Sequence, residues 1–193
     1  MTKNRLEAFT DAVLAIIMTI LVLELPEPDS GNFAALFERK EKLLIYVFSF
    51  IILIIYWNNH HHLFQLVRRV DTKVLWFNNI FIFFLSLFPF SASWLGNYLF
   101  DCAPQAMYAI IIFLADLAYC LMVQAILKVH QDDKKIQRTL SDYQKIKWTL
   151  GLNILAIITS FIVPIFSLAF NLLMILLWII PNQQIEKSLN TKK

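Results

Sequence analysis

The chain has 193 residues, of which 59% are hydrophobic and only 16% are charged. A soluble domain of this size could not bury so many apolar side chains, so the composition predicts an integral membrane protein. The two cysteines are too few for a disulfide framework or a cysteine metal site. The formal net charge of +3 becomes informative only when it is mapped onto loops.

Six apolar segments approach the roughly 20 residues that cross about 30 Å of hydrocarbon. The predicted spans are residues 8–25, 43–65, 74–96, 105–128, 147–163 and 166–181. A short interfacial helix is predicted over residues 33–42, before the second span. No internal repeat is evident, so the prediction is one all-α transmembrane domain of six helices over residues 1–193.

The basic residues predict the orientation of these spans. If the N-terminus is cytoplasmic, only Arg39, Lys40 and Lys42 of the 17 lysines and arginines fall on the outer side. The positive-inside rule therefore favours a multi-pass protein of the cell membrane, in contact with lipid and with both termini in the cytoplasm.

The first predicted helix carries a distinct stripe. At 100° per residue one face of it holds Arg5, Phe9, Ala12, Ile16, Thr19 and Leu23. Asp11 lies well away from this stripe, although a charged group at membrane depth is costly and tends to have a function. Two interpretations remain open, an ordinary helix-packing surface or the wall of a pore, and periodicity alone favours the packing surface.

Three segments carry a family resemblance. The run RLEAFTD, from Arg5 to Asp11, resembles the signature of the transmembrane protein 175 family of potassium-permeable channels, in which arginine is followed four residues later by Phe-Ser-Asp. Thr10 replaces the usual serine and keeps its hydroxyl group. The run YWNNHHHLF at 56–64 is similar to the family's Tyr-Trp-x-x-His-His stretch, with His62 where a basic residue is common. The runs LWFN at 75–78 and LFPF at 87–90 are also similar to the family.

The resemblance implies the site residues and the assembly. In the family the first helix of each repeat lines the pore, and bulky aliphatic side chains form its narrowest point. Carried over, the constriction begins at Ile16, with Thr19 one turn later and Leu23 one turn beyond it. The resemblance also implies a homotetramer, permeant potassium ions and no cofactor.

The expected mechanism depends on apolar side chains. Only three glycines are present, Gly31, Gly96 and Gly151, and none lies in a loop like the carbonyl-lined filter of other potassium channels. A ring of Ile16 side chains could instead close the pore by dewetting, and larger alkali ions lose their hydration more cheaply. We therefore expect a weakly potassium-selective leak channel with a hydrophobic gate.

A supporting network is predicted around Asp11. Arg5 and Asp11 point in different directions, so each needs another partner. His60, His61, Trp76 and Asn78 are predicted near the level of Asp11, and we expect Asp11 to bond with one of the two histidines, together with Trp76 and Asn78.

Other sites and functions are less favoured. Consecutive histidines point about 100° apart on a helix, so residues 60–62 cannot chelate one metal ion together. Asp116 in the fourth span could serve a proton or ion relay, or could accept a hydrogen bond from a facing Asn, Tyr or Ser. A secondary transporter of a small solute is the main alternative function. No catalytic set and no nucleic-acid surface is evident, so the chain is not predicted to be an enzyme.

Overall fold

The computed structural model describes residues 2–141 and 144–179, and within these ranges the chain forms nine α-helices and no β-strand. The helices are α1 (Lys3–Leu23), α2 (Phe33–Glu38), α3 (Lys40–Leu66), α4 (Thr72–Ser86), α5 (Phe88–Asn97), α6 (Cys102–Val129), α7 (Lys134–Ser141), α8 (Gln144–Ser160) and α9 (Pro164–Ile179). The predicted all-α class is confirmed.

Within the described ranges, four helical stretches are long and apolar enough to cross a membrane. They are α1, α3, the combined α4–α5 stretch of 26 residues, and α6. The two remaining predicted spans correspond to α8, with 17 residues, and α9, with 16. Because both are shorter than the usual length of a span, a count of six crossings stays a prediction.

Local sequence signals account for several helix boundaries. Asn32 and Asp71 cap α2 and α4 by accepting hydrogen bonds of 2.9 Å from the backbone amides of Ala35 and Val74. Pro89 lies in the first turn of α5, where its missing N–H group is tolerated, and the ladder of α4 therefore ends just before it. The predicted helix at 33–42 is present as α2, which ends at Glu38 and is followed directly by α3.

The helix α6 is the centre of the bundle. It packs against α4, α5, α8 and α9, and α8 and α9 pack against each other as a helical hairpin. The space between α3, α4, α5 and α6 is filled by the aromatic rings of Tyr56, Phe81, Phe88 and Tyr108. Phe88 is edge-on to both Tyr56 and Tyr108, at centroid distances of 6.3 and 5.7 Å. The helix α1 packs on α3, α4 and α5 and therefore lies at one side of this core.

Candidate functional site

One face of α1 is packed and the opposite face is uncovered. The packed face consists of Leu6, Thr10, Leu14, Ile17 and Leu21. All six residues of the predicted stripe are exposed in the single chain, and we call this face the α1 stripe: Arg5, Phe9, Ala12, Ile16, Thr19 and Leu23.

The geometry of a helix explains this division. The buried residues of α1 recur at intervals of four, four, three and four, which keeps them on one side. The α1 stripe lies on the other side, where the side chain of Ile16 is 57% exposed and that of Leu23 is 80% exposed. Both faces are largely apolar, so the division is between packed and unpacked surface rather than between apolar and polar.

Thr19 is oriented by its own helix. Its hydroxyl group donates a hydrogen bond of 2.7 Å to the carbonyl oxygen of Ile16. Because this bond uses its single proton, the hydroxyl oxygen presents only lone pairs to the uncovered side. The α1 stripe therefore offers one acceptor oxygen beside the apolar side chain of Ile16.

A buried chain of hydrogen bonds joins α1 to α4 and α3. The Thr10 hydroxyl donates to the carbonyl oxygen of Leu6 at 3.0 Å and accepts from Nδ2 of Asn78 at 2.9 Å. Oδ1 of Asn78 lies 2.8 Å from Nε2 of His60, and all three of these polar side chains are buried. His60 and Asn78, both expected in a network with Asp11, thus contact each other, and their link to α1 runs through Thr10.

Asp11 has a different partner from the one predicted. Its Oδ1 accepts a hydrogen bond of 2.9 Å from the indole Nε1 of Trp57, not from His60 or His61. His61 stacks on the Trp57 ring at a centroid distance of 5.8 Å and is bonded to Gln65, so it supports the indole rather than the carboxylate. The sequence signal was available, because Trp57 is one helical turn before His60 and His61 in the same motif.

Two further predicted residues lie outside this network. The Trp76 side chain is 62% exposed, and within the described ranges it makes no hydrogen bond. It therefore does not join Asp11, because it points away from the packed face of α4. Arg5 is also exposed, and no described residue forms an ion pair with it; the ion pair at this end of α1 is between Lys3 and Glu7 at 3.7 Å.

Asp116 accepts two hydrogen bonds inside the bundle. The Tyr56 hydroxyl donates to Oδ1 at 2.8 Å, and Nδ2 of Asn153 donates to Oδ2 at 2.6 Å. Of the two roles left open for Asp116, the geometry is that of a hydrogen-bonded structural residue that joins α3, α6 and α8. Asn153 itself could not be identified from the sequence as the partner, because its distance from Asp116 along the chain carries no pairing signal.

The histidine run does not form a metal centre. His60 is buried against Asn78, His61 stacks on Trp57, and the rings of His61 and His62 are tilted by 56° to each other. Among the described residues no group of three or more His, Cys, Asp and Glu side chains is placed to hold a metal ion.

Comparison with known proteins places this arrangement in a family. Residues 5–89 match the family described as "Endosomal/lysosomal potassium channel TMEM175". A potassium channel from Chryseobacterium sp. is 42% identical over 189 residues, which cover 98% of each chain. The chain belongs to the TMEM175 family. The TMEM175 match contains the motif at 5–11 together with Trp57, His60 and Asn78, and so covers the whole network around α1.

Other TMEM175 relatives agree with this assignment. A potassium channel from Streptomyces collinus is 29% identical over 158 residues, or 77% of each chain. The crystal structure of a lysosomal potassium-selective channel TMEM175 homologue from Chamaesiphon minutus superposes with a TM-score of 0.81 at 24% identity, over 93% of this chain and 97% of that one, and shows the same fold. Membership in TMEM175 confirms the recognition made from the motifs, the multi-pass membrane class and the prediction that the chain is not an enzyme.

Proposed function

We propose that this protein is a potassium-permeable cation channel in which the α1 stripe lines the pore. The observation that carries the proposal is the uncovered, mostly apolar face of α1, which lies within the segment matched to the channel family. The relative from Chryseobacterium, identical at 42% of positions over nearly the whole chain, is named a potassium channel. Permeant potassium ions are the ligand, and no cofactor is required.

The proposed assembly is a homotetramer of chains that each cross the membrane six times. One α1 helix cannot enclose a pore, whereas several copies around a rotation axis would bring their α1 stripes face to face. The exposed side chains of Phe9, Ile16 and Leu23 would then be covered by the symmetry-related helices or would face the pore. The loop charges favour both termini on the cytoplasmic side of the cell membrane.

The constriction is assigned to Ile16. A ring of branched aliphatic side chains is narrow and apolar, so water leaves it and an ion must shed part of its hydration shell to pass. The Thr19 oxygen one turn away, with its proton committed to the Ile16 carbonyl, can coordinate such a partly dehydrated ion. Leu23 forms a second apolar ring one turn further on. This arrangement favours potassium over sodium weakly, because no ring of backbone carbonyls replaces the hydration shell.

The network holds the wall helix in place. Thr10 and Asp11 are neighbours in the motif, and they are tied to two different helices: Thr10 to Asn78 of α4, and Asp11 to Trp57 of α3. These two attachments set the rotation of α1 and hence the direction of the Ile16 side chain. We assign His60 and Asn78 a structural role in gating through Thr10, and His61 a supporting role through Trp57.

The test is single-channel recording of the purified protein in planar bilayers under bi-ionic potassium and sodium conditions. Unitary currents are expected from the wild type, whereas slow saturable flux without unitary steps would favour a transporter. Ile16→Asn should raise the open probability and reduce the preference for potassium, because a polar side chain keeps the constriction wet.

Ile158→Asn is the matched control for this substitution. Ile158 is on α8 and is 50% exposed, close to the exposure of Ile16, so both variants place the same amide on an uncovered apolar surface. Normal gating and selectivity in the Ile16 variant, or equal changes in both variants, would show that the constriction is elsewhere.

A further inference from the structure

A charged cavity of about 710 Å³ lies at the end of the bundle where α3 and α6 terminate. It is lined by the loop between α3 and α4, by the segment between α6 and α7, and by the first turn of α7. Its lining residues are Arg68, Arg69, His130, Asp132, Asp133, Lys134 and Lys135. Its volume is within the usual range for sites that bind small molecules.

A buried histidine fixes one wall of this cavity. Nε2 of His130 accepts hydrogen bonds from the backbone amides of Arg68 and Arg69 at 3.2 and 3.4 Å. Nδ1 of His130 faces the carbonyl oxygen of Ile126 at 3.0 Å and therefore carries the proton. The side chain of His130 is 4% exposed, so it acts as an internal link between the two loops rather than as a surface ligand.

The opposite wall is fixed by Asp133 and Gln137. Oδ1 of Asp133 accepts from the backbone amides of Lys135 and Ile136 at 3.0 and 3.2 Å and so caps the start of α7. Nε2 of Gln137 donates to the carbonyl oxygens of Leu127 and His130, which ties α7 back to the end of α6. The basic side chains therefore project from two restrained segments and not from free loops.

The charge balance of the cavity is positive. Four cations and two carboxylates line it, and Asp133 is already engaged: its amide bonds and Arg68, at 3.6 Å, hold the pKa of its carboxyl group below the usual range. The charged side chains of Arg69 and Lys134 form no hydrogen bond or ion pair with any described residue. They are consequently the cations that an incoming anion would meet.

We propose that this cavity binds the phosphate group of an anionic phospholipid. The loop of residues 67–71 is only five residues long and joins two stretches that are long and apolar enough to span the membrane, so it keeps Arg68 and Arg69 at headgroup level. Basic clusters in this position bind phosphate-bearing headgroups. The choice of the cytoplasmic leaflet rests on the orientation proposed above, whereas the site itself does not depend on channel activity.

The experiment measures binding of short-chain lipids to the purified protein in neutral detergent. The probes are dioctanoyl phosphatidylglycerol, dioctanoyl phosphatidylcholine and inorganic phosphate, and thermophoresis reports the dissociation constants. The wild type should bind the phosphatidylglycerol, which is anionic, at least about tenfold more tightly than the phosphatidylcholine, which has no net charge. Arg69→Gln and Lys134→Gln should each weaken that binding about fivefold, which is the effect of losing about 1 kcal/mol.

Lys73→Gln is the control for general surface charge. Lys73 is exposed on the first turn of α4 at the same end of the bundle, but it does not line the cavity. It should leave lipid binding unchanged. If Lys73→Gln and Lys134→Gln weakened phosphatidylglycerol binding equally, the proposed site would be wrong. If inorganic phosphate bound as tightly as phosphatidylglycerol, the assignment to a lipid would be wrong. Because potassium currents are recorded separately, failure of this proposal and failure of the proposed channel function are distinguishable.

Discussion

Nδ2 of Asn78 donates a buried hydrogen bond of 2.9 Å to the hydroxyl oxygen of Thr10. Since the Thr10 hydroxyl has already donated its proton to the Leu6 carbonyl, it can only accept from Asn78. Asn78 must then use its carbonyl oxygen toward His60, so Nε2 of His60 carries the proton. The Thr10 hydroxyl of the family motif thereby sets which group donates and which accepts in each hydrogen bond from Leu6 through Asn78 to His60.

Thr10→Val should lower the stability of the protein. The substitution preserves the shape of the side chain but leaves the buried Nδ2 of Asn78 without an acceptor, at a cost of about 1–3 kcal/mol. The thermal unfolding midpoint in detergent checks this, and Thr10→Ser should lie closer to the wild type because it retains the hydroxyl. An unchanged midpoint for Thr10→Val would show that the bond contributes nothing.

Thr19→Val should lower the potassium conductance and leave the stability of the protein nearly unchanged. The Thr19 hydroxyl is exposed and, among the described residues, bonds only to the Ile16 carbonyl of its own helix, so its loss should change stability by less than about 0.5 kcal/mol. The unitary potassium conductance should fall several-fold, because a partly dehydrated ion loses an oxygen ligand, and Thr19→Ser should restore it. Wild-type conductance in Thr19→Val would place ion coordination elsewhere.

The contact between Asp11 and Trp57 can be measured by a double-mutant cycle. Asp11→Ala and Trp57→Phe should be coupled by about 0.5–1 kcal/mol, the lower part of the usual range because the bond is exposed. Asp11→Ala with Trp76→Phe is the matched cycle and should give a coupling near zero, since Trp76 does not reach Asp11. Coupling confined to the Trp76 cycle would restore the partner predicted from the sequence.

Asn153→Leu should destabilise the bundle. It removes the donor to Oδ2 of Asp116 and leaves a buried carboxylate oxygen unsatisfied, at a cost of about 1–3 kcal/mol. Asn97→Leu is the control, because the Asn97 side chain is exposed and, in the part of the chain that the structure describes, bonds only to Ser93 of its own helix. If the thermal unfolding midpoint shifted equally in the two variants, the structural role assigned to Asp116 would be wrong.

The cap of α7 should respond to acid. Bonds from the backbone amides of Ile136 and Lys135, and the nearby Arg68 guanidinium, lower the pKa of Asp133 in the folded protein. The stabilisation is therefore complete above the unfolded pKa of about 3.9 and is lost as the pH falls through the lower folded value. Hydrogen exchange at residues 135 and 136 checks this: Asp133→Ala, which has no side-chain acceptor, should remove at neutral pH the protection that the wild type loses only in acid. Equal protection in both proteins at neutral pH would contradict it.

Some of the site was readable from residue types alone. The run from Arg5 to Asp11 indicated the family. His60 and Asn78 were both expected in one network with Asp11, because motif residues at the same level of adjacent spans are brought together by helix packing; in the structure they bond to each other and reach α1 through Thr10. The partner of Asp11 could not be predicted from residue types, since Trp57 and Trp76 are both indoles at similar depth. Their roles differ only through the rotation of α3 and α4 in the bundle.

The sequence by itself determined the membrane class, the helical segments and the family, because apolar length and a local motif need no knowledge of neighbours. Tertiary structure decided which face of α1 is packed. Hydropathy shows no contrast between Ile16 and Ile17, although Ile17 is 3% exposed and Ile16 is 57% exposed. Two isoleucines in adjacent positions differ only in what lies opposite them, and that is set by the helices against which α1 packs.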